Sequence, residues 1–227
     1  MEPPCLTIVA LRCYIAIRTG RQKDNGLGYR SGAVTMLIEA ALLDGTPVRI
    51  RPISQNDETL MREAIDALSP QSRYWRLFSA RLVPPDAVID QLLAVDGHKH
   101  IAWGATLANE CGGPAIGSVH VFRDKTEGSS GELSFVIADA WQGLGLVRML
   151  LVAVLVECTS HGINLLEVQV LSENRAAIRL VHFLGGRMTS IQSGVSNYDI
   201  KSRTALDNLR RHAEETGVAS VFAALIE

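Results

Sequence analysis

The segment from Glu132 to Leu155 contains the residues best suited to chemistry in this chain. A short apolar strand with one acid near its start leads into the turn Gln142-Gly143-Leu144-Gly145 and then into a strongly apolar helix. Strand, glycine turn and helix N-terminus in this order predict a phosphate site, because unpaired backbone N–H groups and the helix dipole converge there. The upstream acid, Glu132, is placed to exchange a proton with a bound substrate. The segment therefore indicates an enzyme.

The rest of the chain alternates between strand-like and helix-like stretches, which predicts a mixed α/β domain around this segment. Predicted strands cover residues 47–52, 100–108, 115–123, 131–138, 163–171, 187–192 and 195–201, and predicted helices cover 57–68, 71–78, 84–95, 146–161, 174–184 and 203–215. The strand–helix–strand unit at 131–171 predicts a right-handed parallel crossover. Its helix is apolar on nearly every face, so we expect it to be buried on most sides.

The two ends of the chain differ from this central part. Residues 1–35 are irregular, and we expect a disordered leader or the product of an upstream start codon, with an extra strand at 6–17 as the alternative. The folded domain is predicted to cover residues 36–201, followed by a C-terminal helical extension at 202–227. The final apolar GVASVFAALI is expected to pack on the core or on a second subunit.

Composition limits the partners of the chain. A net charge of −2 provides no basic field for nucleic acid. No apolar run is long enough to span a bilayer and no secretory signal is present, so we expect a cytoplasmic protein without membrane binding. His98 and His100 could offer two metal ligands, but no third is evident, and no metal is expected. The cysteines lack CxxC spacing and predict reduced thiols; they are Cys5, Cys13, Cys111 and Cys158.

The order of elements, with Gln142-x-x-Gly145 between the fourth strand and the long helix, resembles the GNAT superfamily of acyl-CoA-dependent N-acyltransferases. The resemblance covers about residues 47–201. A second match is the helix start Asn174-x-x-Ala177, whose helix ends in Leu184-Gly185. Three stretches are similar to the bacterial Pat-type protein-lysine acetyltransferase branch; they are VRIRP from Val48, SPQSRY from Ser69 and ELSFVIAD from Glu132.

This resemblance implies a GNAT-like mixed, splayed central sheet of six to seven strands flanked by about four helices. It implies transfer of an acetyl group from acetyl-CoA, the acyl-donor cosubstrate, to an amine acceptor. The acceptor would be a small molecule or a protein lysine. A homodimer is expected if the final apolar segment packs on a second subunit.

The family pattern also implies a role for each site residue. Glu132 would be the general base that takes the proton of the attacking amine, and the Ile137 N–H would bind the thioester carbonyl oxygen. Phe135 to Ile137 would line the pantetheine arm, and the backbone from Gln142 to Val147 would hold the pyrophosphate with help from Arg148. The implied cofactor-binding residues are Phe135, Val136, Ile137, Gln142, Gly143, Leu144, Gly145, Leu146, Val147, Arg148 and Asn174.

Three residues depart from the family pattern. Val147 replaces the last small residue of the phosphate turn, and its β-branched side chain restricts close approach. Val181 stands where many members have a tyrosine that reprotonates the leaving thiolate. Gly186 stands where phenylalanine usually follows the Leu-Gly pair. A non-catalytic, regulatory acyl-CoA-binding module is therefore an alternative.

Other readings of the same residues stay open at this point. Gly143-Leu-Gly145 and Glu167, about twenty residues later, could belong to a Rossmann-type NAD(P) site, although the third glycine is missing. Glu132 could be a solvated acid at a strand end, and Asn174 is also a good helix N-cap. His120, His161 and His182 are isolated in sequence and are expected to be packed or solvated.

Overall fold

The computed structural model describes residues 36–77, 86–108, 113–124, 128–215 and 217–226. The strands are β1 (Ile38–Ala41), β2 (Pro47–Pro52), β3 (His100–Leu107), β4 (Ala115–Arg123), β5 (Ser130–Ile137), β6 (Leu165–Leu171), β7 (Arg187–Gln192) and β8 (Val195–Lys201). The helices are α1 (Glu58–Asp66), α2 (Pro70–Leu77), α3 (Asp86–Leu93), α4 (Leu146–Ser160), α5 (Arg175–Phe183), α6 (Ser202–Arg211) and α7 (Val218–Ile226). The proposed leader at 1–35 lies outside the described residues.

All described strands form one sheet in the order β1-β2-β3-β4-β5-β6-β8-β7. Neighbouring strands pair antiparallel except for β5 and β6, which are parallel and are joined through α4. This confirms the mixed sheet and the parallel crossover pair. The described part has eight strands and seven helices, so the predicted numbers were slightly too low. The additional strand is β1, whose four residues are too few to show a clear alternating pattern.

The two faces of the sheet are covered by different helices. Helix α4 packs on β3 and β4 on one side and contacts α6 and α7 on the other. This double contact explains why it is apolar on nearly every face. Helix α7 also packs against β1 and buries Val218, Val221 and Phe222 in the core. None of the described helices combines the length and apolar character needed to cross a membrane.

A second, smaller core lies on the opposite face of the sheet. Helices α1 and α3 pack against each other, and α1 packs on β4. The buried residues of this core are Ile53, Met61, Ile65, Val88, Ile89, Leu92, Leu93 and Ala102. A hydrogen bond from Ser54 N–H to Asp57 Oδ2 (2.8 Å) stabilises the start of the helical segment that leads into α1.

Strands β5 and β6 separate from one another partway along the sheet. They pair only from Ser130 to Glu132 on β5 and from Leu165 to Glu167 on β6. Beyond these residues, β5 continues to Ile137 and β6 to Leu171 without pairing to each other, although each still pairs with its other neighbour. The strands therefore form a V whose apex is the Glu132–Glu167 pair.

The end of α5 is fixed by two successive glycines. Gly185 has a φ of +83°, which only glycine adopts easily, and Gly186 N–H donates to Val181 O (2.8 Å). A Cβ atom on Gly186 would lie 2.4 Å from Val181 Cγ1 and 2.8 Å from Val181 O. A phenylalanine at position 186 is therefore incompatible with this helix end.

We expect Gly186→Ala to lower the free energy of unfolding by about 1–3 kcal/mol, because the added methyl group overpacks a half-buried position against Val181. Urea unfolding measures the change. The matched double variant Val181→Ala/Gly186→Ala should be more stable than the sum of the single changes predicts, because the nearest clashing atom is gone. Additive effects would contradict this account of the helix end.

Candidate functional site

The turn between β5 and α4 depends on its glycines. Gly143 and Gly145 have φ values of +77° and +86°, in the left-handed region that side chains disfavour. Gln142 stabilises the turn, because its Nε2 donates to Ile137 O (3.0 Å) at the end of β5. The glutamine and the two glycines thus produce one defined backbone path from strand to helix.

This path leaves a run of backbone donors available. The N–H groups from Gly143 to Val147 have no acceptor within the described part of the chain, whereas Arg148 N–H donates to Gly145 O (3.0 Å). Gln142 N–H makes a long bond to Asp139 O (3.4 Å), so it belongs to the turn and not to this run. Unpaired N–H groups at the start of a helix carry partial positive charge and bind anions.

A cleft of about 500 Å³ opens at these N–H groups. Among the residues that the sequence predicted, Ile137, Gln142, Gly143, Gly145, Leu146, Val147 and Arg148 line it. The remaining lining residues are Leu43, Trp141, Ala176, Arg179, Leu180 and Phe183. The structure therefore brings the glycine turn together with one face of α5.

Two guanidinium groups line the cleft. Arg148 lies over the ring of Phe183, with its Cζ 4.7 Å from the ring centroid, and this cation–π contact orients it. Arg179 lines the cleft from α5, and the sequence analysis did not identify it. The signal was present, because Ala176, Arg179 and Phe183 have the spacing of one helix face. The cleft thus combines two cations with a row of backbone donors.

The side chain of Val147 does not project into the phosphate turn, contrary to what its departure from the family pattern suggested. Its side chain is 8% exposed and packs within the main core. The β-branched group is therefore accommodated by the core, and the Val147 N–H remains among the available donors.

Glu132 occupies the apex of the V. Its side chain is only 7% exposed, which contradicts the reading as a solvated acid. It is paired in register with Phe122 on β4 and with Glu167 on β6. Because side chains alternate along a strand, Glu132 and Val136 lie on the α1 face and Phe135 lies on the α4 face. Glu132 therefore lies where β5 and β6 begin to separate. Beyond this point, the gap between the two strands connects the α1 face of the sheet with the α4 face.

The other predicted residues have mixed positions. Val136 lines a second cavity beneath α1, and Phe135 is almost fully buried in the main core. Leu144 is half-buried, and its carbonyl accepts from Leu43 N–H (3.1 Å). Asn174 is buried, and its Oδ1 accepts from Ala177 N–H (3.0 Å), so it caps α5. None of these four residues lines the cleft with the glycine turn.

Helix α2 connects the two arms of the V. The carboxylate of Asp139, just after β5, accepts from Ser69 N–H (3.0 Å) and from the hydroxyl of Ser72 (2.5 Å). Trp75 Nε1 donates to Glu173 (3.2 Å), which follows β6. Helix α2 and the residue before it therefore bridge the segments that follow β5 and β6.

Comparison with known proteins agrees with this geometry. A model of the acetyltransferase (GNAT) domain matches residues 47–187. An acetyltransferase of Pseudomonas aeruginosa is 32% identical over 111 residues, which are 49% of this chain and 59% of that protein. Acetyltransferase Pat of Mycolicibacterium smegmatis is 25% identical over 154 residues, 64% of this chain and 45% of that protein. The chain thus spans about half the length of these curated relatives.

Among solved structures, the GNAT domain of S. lividans PAT superposes with a TM-score of 0.68 at 22% identity. The match covers 75% of this chain and 99% of that one. A dinucleotide-binding fold is excluded, because it needs an open parallel sheet and the described strands form a single parallel pair. Together, the V between β5 and β6, the glycine turn and the matched residues show that the chain belongs to the GNAT family of acetyltransferases.

Proposed function

We propose that this protein transfers an acetyl group from acetyl-CoA to an amine acceptor by direct attack, with Glu132 as general base. The observation that carries the proposal is the position of Glu132, buried at the apex of the V, while the cleft with unpaired N–H donors lies at the open end of the same strand. GNAT acetyltransferases use acetyl-CoA as a rule, and the cleft has the size and charge for the CoA end of that donor.

The donor would lie across the glycine turn and enter the V. Its pyrophosphate would accept hydrogen bonds from the N–H groups of Gly143 to Val147, with Arg148 and Arg179 as cationic partners. Its pantetheine arm would run between β5 and β6, where the backbones of the two strands are not hydrogen-bonded to each other. Asn174 holds the start of α5 beside this path.

Ile137 is suited to bind the thioester oxygen. Ala138 N–H donates to Ile116 O (2.9 Å), so it points towards β4. Because successive N–H groups of a strand point to opposite sides, the Ile137 N–H faces the open edge towards β6. A backbone donor in this position stabilises the negative charge that develops on the carbonyl oxygen during attack.

Glu132 and water account for the protons that move in the proposed reaction. An alkyl amine has a pKa of about 10.4, so it is charged at neutral pH and must first lose a proton. Glu132 would take this proton through water, because Glu132 and Ile137 are five strand residues, or roughly 16 Å, apart. The neutral nitrogen then attacks the thioester carbon, the C–N bond forms and the C–S bond breaks. The CoA thiolate leaves, the nitrogen loses its second proton as the amide forms, and water carries that proton to the thiolate, because Val181 offers no donor where other family members have tyrosine.

The acceptor is proposed to be a protein lysine, with small-molecule amines as the second class. Support comes from the similarity to Pat proteins, at 25% identity to the Mycolicibacterium smegmatis relative. Kinetic assays of CoA release across lysine peptides, polyamines and amino acids would separate the two classes. Turnover of small amines alone would contradict the lysine proposal.

Thermal shift with acetyl-CoA, CoA and NAD(P), followed by an assay of CoA release, tests the donor and the activity together. We expect acetyl-CoA and CoA to raise the melting temperature and NAD(P) to leave it unchanged. Stabilisation by NAD(P) alone would overturn the donor site. Acetyl-CoA binding without turnover over all acceptor classes would indicate the regulatory module instead.

A further inference from the structure

A second cavity of about 60 Å³, the α1 cavity, lies between α1 and the face of the sheet that carries Glu132. Its floor is a row of residues that are in register across four neighbouring strands. The row consists of Arg51 on β2, Gly104 on β3, Ser118 on β4 and Val136 on β5. Because the two middle members have small side chains, the row leaves a trough that runs across the strands.

The walls of the α1 cavity are mostly apolar. The segment from α1 to the start of α2 covers the trough with Leu60, Met61, Ala64, Ile65 and Leu68. In the floor, a Cβ atom on Gly104 would lie 3.2 Å from Ile53 Cγ1, so a larger residue would crowd the middle of the trough. The Ser118 hydroxyl lies 3.2 Å from Nε2 of the buried His120 and has its partner there. The cavity therefore favours a hydrocarbon ligand over a polar one.

An ion pair closes the far end of the α1 cavity. Arg51 Nη1 and Nη2 donate to Asp57 Oδ2 (2.8 Å) and Oδ1 (2.5 Å), and Nη1 also donates to Pro52 O (3.0 Å). Both charged side chains are partly buried and satisfy each other. The pair therefore offers little attraction to a charged ligand, and it limits the length of any chain that enters from the other end.

The near end of the α1 cavity adjoins the proposed position of the thioester. Val136 and Ala138 line the α1 cavity, whereas Ile137 between them lines the cleft with the glycine turn. Adjacent strand residues are about 3.3 Å apart, so the two cavities meet at one short segment of β5 from opposite faces. Val136 is half-buried while Ile137 is buried, and β6 does not pair with this segment. The gap between β5 and β6 therefore leads from the cleft to the α1 cavity.

The shape of a thioester directs its carbon chain into this gap. Its carbonyl carbon is planar and holds the oxygen, the sulfur and the acyl chain in three different directions. The oxygen would face the Ile137 N–H, and the sulfur would come from the CoA cleft on the α4 face. The acyl chain would then point to the α1 face, where Val136 and the α1 cavity lie.

A charged amine has a better path over the other half of the same face. On β6 and β8, the polar side chains of this face are half-exposed; they include Glu167, Gln169, Asn197 and Asp199. An ammonium group stays hydrated there and meets carboxylates. In the α1 cavity it would lose its water, and the acid among the described lining residues, Asp57, is already paired with Arg51. The α1 cavity is therefore suited to the acyl chain and not to the acceptor.

We propose that the α1 cavity binds the carbon chain of acyl groups larger than acetyl, so that propionyl-CoA and butyryl-CoA are donors of this protein. This inference rests on the proposed function, because it uses the donor position given there. A dry cavity of about 150 Å³ holds benzene, with its six carbon atoms, so a cavity of about 60 Å³ holds roughly two carbon atoms beyond the acetyl methyl group. The bonds that form and break are those of acetyl transfer: the amine nitrogen bonds to the acyl carbon, and the C–S bond to CoA breaks.

Calorimetric titration of the full chain with acetyl-CoA, butyryl-CoA and octanoyl-CoA tests the proposal without an acceptor. We expect Kd to be about tenfold lower for butyryl-CoA than for acetyl-CoA, because each buried methylene group strengthens binding roughly fourfold. Octanoyl-CoA should bind more weakly than butyryl-CoA, since its longer chain meets the pair of Arg51 and Asp57. Affinity that still rises with octanoyl-CoA would place the chain on an open apolar surface and overturn the proposal.

Substitutions on α1 connect this preference to the cavity. Ala64→Leu fills the trough from the helix side and should reduce the ratio of the two Kd values to about one. Ala67→Leu adds the same group at an exposed position just after α1 and should leave the ratio unchanged. The ratio is measured within one preparation, so a loss of folded protein does not alter it. Leu60→Phe fills the trough from one turn earlier and decides the question if Ala64→Leu does not fold.

The outcomes separate the proposal from the proposed function. Equal Kd values for acetyl-CoA and butyryl-CoA in the natural protein, or a tenfold ratio that survives Ala64→Leu and Leu60→Phe, would overturn the proposal. Assays of CoA release with the same donors add the second readout, and transfer of acetyl without transfer of butyryl would also overturn it. Absence of turnover with every donor, beside a Kd ratio that Ala64→Leu removes, would overturn the proposed function and leave the acyl-binding cavity in place.

Discussion

Replacing Glu132 by glutamine is expected to lower kcat by about 100- to 1,000-fold, because the attacking amine loses the group that removes its proton. The affinity for acetyl-CoA should change by less than about twofold, since Glu132 does not line the cleft at the glycine turn. Glutamine has nearly the same shape as glutamate and fits the same buried position. Steady-state assays of CoA release and calorimetric titration with acetyl-CoA measure the two quantities.

Glu167→Gln provides the matched control for this experiment. Glu167 is the register partner of Glu132 on β6 and is half-buried, so the control removes a neighbouring charge from the same row. We expect its kcat to stay within about threefold of the natural value. Equal losses of kcat in the two variants would mean that Glu132 and Glu167 act only through their negative charge. A fully active Glu132→Gln would remove Glu132 from the mechanism.

Reversing the charge of both cleft arginines, Arg148→Glu with Arg179→Glu, is expected to raise Kd for acetyl-CoA by about 100-fold. Each arginine that pairs with a phosphate contributes about tenfold, in the range of charge-assisted hydrogen bonds. The effect should shrink as salt is added, because exposed charges are screened. Calorimetry at two salt concentrations measures both trends.

Two controls make this result specific to the phosphates. S-acetylpantetheine lacks the nucleotide and its pyrophosphate, so its weaker affinity should be the same for the natural and the reversed protein. Arg210→Glu, on α6 over the ring of Phe222, removes a cation outside the cleft and should leave Kd unchanged. Loss of S-acetylpantetheine affinity in the reversed protein would argue for a damaged fold and against phosphate recognition.

The sequence predicted the parts of the site that follow one another along the chain. The strand β5, its glycine turn and α4 are contiguous, so their residue pattern predicted both the local fold and the run of available backbone donors. The cap on α5 is similarly local, because Asn174 and Ala177 are three residues apart. In each case the interacting groups belong to one turn or one helix start, and spacing alone places them.

The features that escaped prediction depend on contacts between distant segments. The sequence associated His100 with His98 and left His120 isolated, because only the register of β3 with β4 brings His100 and His120 together. Arg179 lines the cleft only because α5 packs beside the glycine turn. The burial of Glu132 likewise depends on both neighbouring strands. Such pairings require knowledge of strand register, which a single sequence does not supply.

The double-sided packing of α4 has a consequence for defining the stable unit of this protein. The region matched by the family model ends at residue 187, before β8, α6 and α7. A polypeptide cut there would lack β8 beside β6 and would expose the outer side of α4 to water. That side is apolar, so the shortened chain would aggregate during expression. The region of sequence similarity is therefore shorter than the region that folds cooperatively. The residues beyond 201 are part of the cooperatively folding region.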